Sequence, residues 1–158
     1  MVSSAFIMNV ELCLVFRQAE GKPMKPKDLA RCIVDKYGTR NPFRLAECLD
    51  ITVMELGIGR NVKGIILRYE GWFYTCLNRG LCEHEKRIVL AHEIGHAVCH
   101  AHLNYFFLLE HTLFPPGKFE RQANEFAAEL LISDEDLWEV REERAEYAAR
   151  ALGVTEEL

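Results

Sequence analysis

The run Arg87-Ile88-Val89-Leu90-Ala91-His92-Glu93-Ile94-Gly95-His96-Ala97-Val98 decides the fold. Ile88, Val89, Leu90, Ala91, Ile94, Ala97 and Val98 make it apolar almost all round, the pattern of a buried helix rather than a surface one. Within it His92 and His96 stand four residues apart. Side chains at that spacing lie one above the other on a helix, with Cβ atoms about 5–6 Å apart. Two imidazoles so placed can converge on one tetrahedral Zn²⁺. Glu93 is one residue further round and leans toward the edge of such a site. There it can take a proton from water as a general base, completing the H-E-x-x-H pattern.

A catalytic zinc needs a third protein ligand and an open position. His102 has the spacing of H-E-x-x-H-x-x-G-x-x-H. That pattern requires glycine where this chain has Cys99, and a methionine turn downstream, whereas the last methionine is Met54. His100 is four past His96, but rotation of 100° per residue carries it away from His92. A carboxylate on a second helix is the remaining source. Phe119, Ala123, Phe126, Ala127, Leu130 and Leu131 follow helical periodicity, and Pro115-Pro116-Gly117 breaks the chain just before them. Glu120 and Asn124 share one face of that helix, and Glu125 and Glu129 share a neighbouring one. Most glutamates on helices simply meet solvent, so spacing alone leaves Glu120 and Glu125 both open as ligands.

Taken together, Arg87 to His96 and the later Glu120-x-x-Ala123-Asn124-x-Phe126-Ala127-x-x-Leu130-Leu131 resemble the ImmA/IrrE family of compact, gluzincin-like metallopeptidases. The resemblance runs from about Lys25 to Asp136. It implies His92, His96 and Glu120 as ligands of one Zn²⁺ per chain, and Glu93 as catalytic base. Mn²⁺ or Fe²⁺ would suit the same ligands. Asn124 stands where such proteins place a group that holds a ligand histidine by its other ring nitrogen. The implied activity is that of a zinc endopeptidase. The implied partner is a protein substrate, a helix-turn-helix repressor of a prophage, mobile element or stress response. The alternative from another class is a non-proteolytic, zinc-stabilised binding partner of toxin–antitoxin type. The helix end usual in the family, Leu-Leu-Met-Pro, reads Leu131-Ile132-Ser133 here.

The rest of the chain sets bounds. At 158 residues one domain is expected. A net charge of −5 supplies no basic footprint for direct nucleic-acid binding. Six cysteines include no C-x-x-C, and most fall in apolar runs as small buried hydrophobes. Cys99, seven past His92, shares its helix face. With no secretory signal and no membrane span, a reducing cytoplasmic location is expected.

Residues 1–24 read as a variable lead-in, with Met8 as an alternative start. Residues 25–136 read as the metallopeptidase domain. Residues 137–158 read as a C-terminal helix, the beginning of a helix-turn-helix-like tail, and Ser133 with Asp136 begins that helix as a capping box. Lys27 to Lys36 reads as an amphipathic helix stopped by Gly38, and Asn41-Pro42 as the start of a short helix reaching Leu49. Ile51–Leu56, Gly64–Tyr69 and Trp72–Leu77 read as strands, the last two joined by a tight turn at Glu70-Gly71. Trp72–Leu77 is expected to be the edge strand that binds substrate by strand addition. The whole predicts a small α+β, zincin-like domain. A sheet of about three strands would pack against the H-E-x-x-H helix and the glutamate helix. Between those helices, Tyr105 and His111 are candidates by residue type for oxyanion or substrate contacts.

Overall fold

A computed structural model describes residues 24–59, 61–100 and 116–133. The order is α1 (Pro26–Tyr37), α2 (Pro42–Cys48), β1 (Ile51–Leu56), β2 (Gly64–Tyr69), β3 (Trp72–Asn78), α3 (Glu83–Cys99) and α4 (Pro116–Leu131). The fold is α+β, as its pattern predicts. Residues 1–23, Tyr105, His111 and the expected helix after Ser133 lie outside the described residues.

Local chemistry accounts for the boundaries. Gly38 adopts a left-handed φ of 65° and closes α1 through its N–H to the Val34 carbonyl at 2.7 Å. Asn41 caps α2, its Oδ1 accepting from the N–H groups of Phe43 at 3.0 Å and Arg44 at 3.4 Å. The Glu85 carboxylate reaches back to the Cys82 N–H at 2.9 Å at the start of α3. Pro116 and Gly117 form the first turn of α4 rather than preceding it. The missing N–H of a proline is no loss at a first helical position.

The sheet has the order β1-β3-β2. β2 and β3 form an antiparallel hairpin with Tyr69 opposite Trp72, and β1 runs parallel to β3 with Ile51 opposite Phe73. Glu70 and Gly71 turn the hairpin with φ values of 50° and 88°, both positive as a type I′ turn requires. The expectation that Trp72–Leu77 is an edge strand is therefore corrected. β3 pairs on both sides, and its Thr75 and Leu77 are fully buried. β1 and β2 are the edges. The Asn78 side chain fastens the loop that crosses between them. Its Nδ2 donates to the Ile58 carbonyl at 2.9 Å and the Val62 carbonyl at 2.8 Å.

α3 packs against both the sheet and α4, and α1 packs mainly against α4. Leu45, Leu77, Leu90, Ile94, Phe126 and Leu130 form the centre of one continuous core. Arg40 on the α1–α2 loop donates to the carbonyls of Glu129, Leu130 and Ile132, satisfying the C-terminal end of α4. Glu129 itself pairs with Arg31 at 2.7 Å. The cysteines are less buried than their apolar runs predict. Among the described residues, Cys76 is buried, Cys32 and Cys99 are half-buried, Cys48 and Cys82 are exposed, and these five are free thiols. No helix among the described residues is long and apolar enough to cross a membrane.

α3 and α4 approach closely at Gly95. A Cβ there would lie 2.9 Å from the Ala123 carbonyl oxygen, 3.0 Å from its Cα and 3.3 Å from Phe126 Cβ. Backbone atoms of a packed helix cannot yield alone, so only glycine allows this approach.

Two stability outcomes follow, both read by urea unfolding. Glu70→Asn should raise the midpoint, by about 0.5–1 kcal/mol, because Asn accepts a left-handed conformation that a glutamate resists. An unchanged or lower midpoint would contradict the turn assignment. Alanine at an open helix position adds about 1 kcal/mol over glycine. Gly95→Ala should nonetheless destabilise, by about 1–3 kcal/mol of overpacking. A stabilised variant would show that the helices can part freely.

Candidate metal centre

α3 brings His92 and His96 into one place by its own pitch. Their Nε2 atoms are 3.0 Å apart, and the rings meet edge to face with centroids 4.6 Å apart. α4 brings Glu120 across from the other side. Its Oε2 is 3.3 Å from His92 Nε2 and its Oε1 is 3.4 Å from His96 Nε2. The three ligand atoms lie within 4.8 Å of one another. A tetrahedral zinc with bonds of about 2.0–2.1 Å has ligand atoms about 3.3 Å apart. The spacing and the two-nitrogen, one-oxygen set thus fit a divalent ion of that kind. Neither Glu125 nor Cys99 belongs to the group.

The site is deep at one side and open at the other. The His96 side chain is 4% exposed, His92 22% and Glu120 43%. A fourth ligand position can therefore face solvent beside His92 and Glu120.

The electrostatics also demand positive charge between these groups. The hydrogen bond with His92, then that with His96, hold the Glu120 carboxyl far below the usual carboxylate range against its partial burial. Burial opposes the charged form of His92. The Glu120 hydrogen bond, the charges of Glu93 and Glu120 and the contact with Asn124 together outweigh it, and its pKa is raised. A proton on the imidazoles answers the same need that a cation would.

Glu93 stands apart from the three. It is buried between α3 and β2, and burial pushes its carboxyl above the usual range. The charges of His96 and His92 oppose that shift, Glu120 adds to it, and a hydrogen bond from the Ile66 backbone N–H opposes it. The room for Glu93 depends on Gly64 in β2. A Cβ there would come within 2.4 Å of Val89 Cγ1 and 3.1 Å of Glu93 Oε1. The absence of that atom lets the strand settle on the helix where the carboxylate sits.

The second nitrogens of the two histidines are held differently. Asn124 Oδ1 accepts from His92 Nδ1–H at 2.6 Å, which leaves Nε2 as the nitrogen that faces Glu120 and His96. His96 Nδ1 lies 3.3 Å from His100 Nδ1, and His100 Nε2 lies 3.0 Å from Gln122 Oε1. As its rotation predicts, His100 does not join the ligand group. Its contact with His96 is not anticipated from the sequence. The signal was the histidine spacing, since His100 is four past His96.

Comparison with known proteins agrees with this geometry. The model of the IrrE N-terminal-like domain family (peptidase M78) matches residues 46–158. An uncharacterized immunity region protein 2 of Bacillus phage phi105 is 36% identical over 102 residues, covering 65% of this chain and 65% of that protein. The metallopeptidase ImmA of Bacillus subtilis (strain 168) is 27% identical over 113 residues, covering 70% of this chain and 65% of that protein. The matches thus span just under two thirds of each relative's length. A helix bearing two histidines, a facing helix bearing the glutamate, and this family match lead to one conclusion: the chain belongs to the ImmA/IrrE family of IrrE N-terminal-like domains.

Proposed function

We propose that this chain is a cytoplasmic, zinc-dependent endopeptidase that cleaves a helix-turn-helix transcriptional repressor. The observation that carries the reading is the convergence of His92, His96 and Glu120 at tetrahedral spacing, with a buried carboxylate next to them. These three residues would hold one Zn²⁺, or Mn²⁺ or Fe²⁺ with the same ligands. When bound, the ion supplies Lewis acidity to a peptide carbonyl and to water.

The remaining work falls to the protein. Glu93 takes the proton of the attacking water and returns it to the leaving amide nitrogen. Its raised pKa makes it a stronger base toward that water. Asn124 keeps His92 in one tautomer and one orientation. β2 is suited to align the substrate. The Ile66 N–H is directed to Glu93, so the backbone groups of Gly64 and Arg68, two residues to either side in β2, face the same edge. An extended peptide added there would run past the general base.

The substrate class rests on kinship and charge. One relative is named for a phage immunity region and another as the metallopeptidase ImmA. A net charge of −5 on this chain complements the basic surface of a DNA-binding protein and speeds encounter. Control of a prophage, mobile element or stress response by removal of its repressor is the role this reading assigns.

The test is incubation of the zinc-loaded protein with the helix-turn-helix regulator encoded beside it, with products read by mass spectrometry. A discrete cut is expected. Glu93→Gln should retain one metal per chain and lose cleavage, by about 10²-fold or more. His96→Ala should lose both metal and cleavage. Cleavage at the wild-type rate by Glu93→Gln would refute the role of this carboxylate. A stable complex with no cut would instead favour a metal-stabilised binding partner.

A further inference from the structure

His100 is 5% exposed, at the C-terminal end of α3, and takes no place in the ligand group. A buried imidazole needs partners for both nitrogens. Here Nδ1 faces His96 Nδ1 at 3.3 Å and Nε2 faces Gln122 Oε1 at 3.0 Å. The Phe119 ring stands edge-on to His100 with centroids 4.9 Å apart, which limits rotation of the imidazole. The chain of contacts leaves α3 at His96, passes through His100 and ends on α4.

The proton order in this chain follows from its two ends. An amide oxygen at Gln122 can only accept, so His100 Nε2 carries the proton and His100 Nδ1 has the lone pair. His96 must then donate from Nδ1, which leaves Nε2 as the nitrogen that faces His92 and Glu120. The opposite order would need the Gln122 amide turned over. It would also put a proton on His96 Nε2, where a ligand needs its lone pair.

We propose that His100 and Gln122 are positioning residues that hold His96 in the metal-binding tautomer and orientation, as Asn124 does for His92. The two histidines are thus locked by different means. His92 is locked by one amide from α4, and His96 by a second histidine that passes the constraint to α4. This inference rests on the metal reading of the site.

The test compares three single variants of the full chain by Zn²⁺ affinity, measured by competition with a chromophoric chelator. His100→Phe keeps the ring volume and loses the acceptor, and should weaken Zn²⁺ binding about 10–100-fold. His100→Asn loses volume but returns an acceptor oxygen near the Nδ1 position, and should bind within about threefold of wild type. A role in packing alone predicts the reverse ranking, so a phenylalanine variant that outperforms the asparagine variant overturns the proposal. Gln122→Leu, at a half-buried helix position, should weaken binding by a smaller factor and add nothing in the His100→Phe background. It serves if His100→Phe fails to fold by circular dichroism, and an unchanged affinity in Gln122→Leu then counts against the chain.

A second readout is ¹⁵N NMR of the zinc-loaded wild type. His100 should be neutral with its proton on Nε2, and His96 should carry its proton on Nδ1. A proton on His100 Nδ1 contradicts the inference. A wild-type chain that takes up no Zn²⁺ removes the metal reading and this inference together. Wild-type uptake matched by His100→Phe removes this inference alone.

Discussion

The close approach of α3 and α4 at Gly95 and Ala123 is the constraint from which the site follows. Gly95 is one residue before His96 and three after His92. Ala123 is three after Glu120 and one before Asn124. A contact between backbones at that point therefore places Glu120 against both imidazoles, and Asn124 against the outer nitrogen of His92. A larger residue at Gly95 would move α4 outward. A carboxylate at the end of two rotatable bonds could follow only in part, and ligand spacing changes of a few tenths of an ångström matter to a small ion.

A core built this way carries an unusual share of polar groups. Lys86, Glu93 and His96 lie buried along α3, and His100 lies buried at its C-terminal cap, among the apolar residues Leu90, Ala91, Ile94 and Ala97. Each has a defined partner. Lys86 binds Glu55 at 3.0 Å and Glu83 at 2.8 Å, and Glu93 receives the Ile66 N–H. His96 and His100 bond to one another. Burial without such partners would cost several kcal/mol per group. The fold tolerates these residues because β1, β2, α4 and α3 itself offer complementary atoms. The same atoms make the geometry of the site rigid.

Much of this was legible in the residues, and the reasons it was or was not are physical. Helix ends were readable because Gly38 and Asn41 act locally, through one left-handed φ and one side-chain cap. The hairpin was readable because Glu70-Gly71 is a two-residue turn. Strand order was not. Whether β1 joins the outer edge of β2 or of β3 depends on a crossover that no local pattern encodes, so the central strand β3 was taken for an edge. Glu120 could not be separated from Glu125 by spacing, since both belong to one helix. Family resemblance points to Glu120, whose carboxylate α4 places beside both imidazoles. The link from His96 to His100 is not legible in the spacing alone, because it depends on Gln122 of α4 meeting the far nitrogen of His100. The cysteines were placed by neighbouring hydrophobicity, which says nothing of exposure at helix ends such as Cys48 and Cys82.

The central claim is that one divalent ion sits among His92, His96 and Glu120. X-ray absorption at the zinc edge of the loaded protein tests it most directly. The account predicts one zinc per chain with two imidazole nitrogens and carboxylate or water oxygens at about 2.0–2.2 Å, and no sulfur. A sulfur shell at about 2.3 Å would mean that a cysteine binds the metal instead. A shell with a single imidazole would mean that the two histidines of α3 do not act together, and either result would contradict the account.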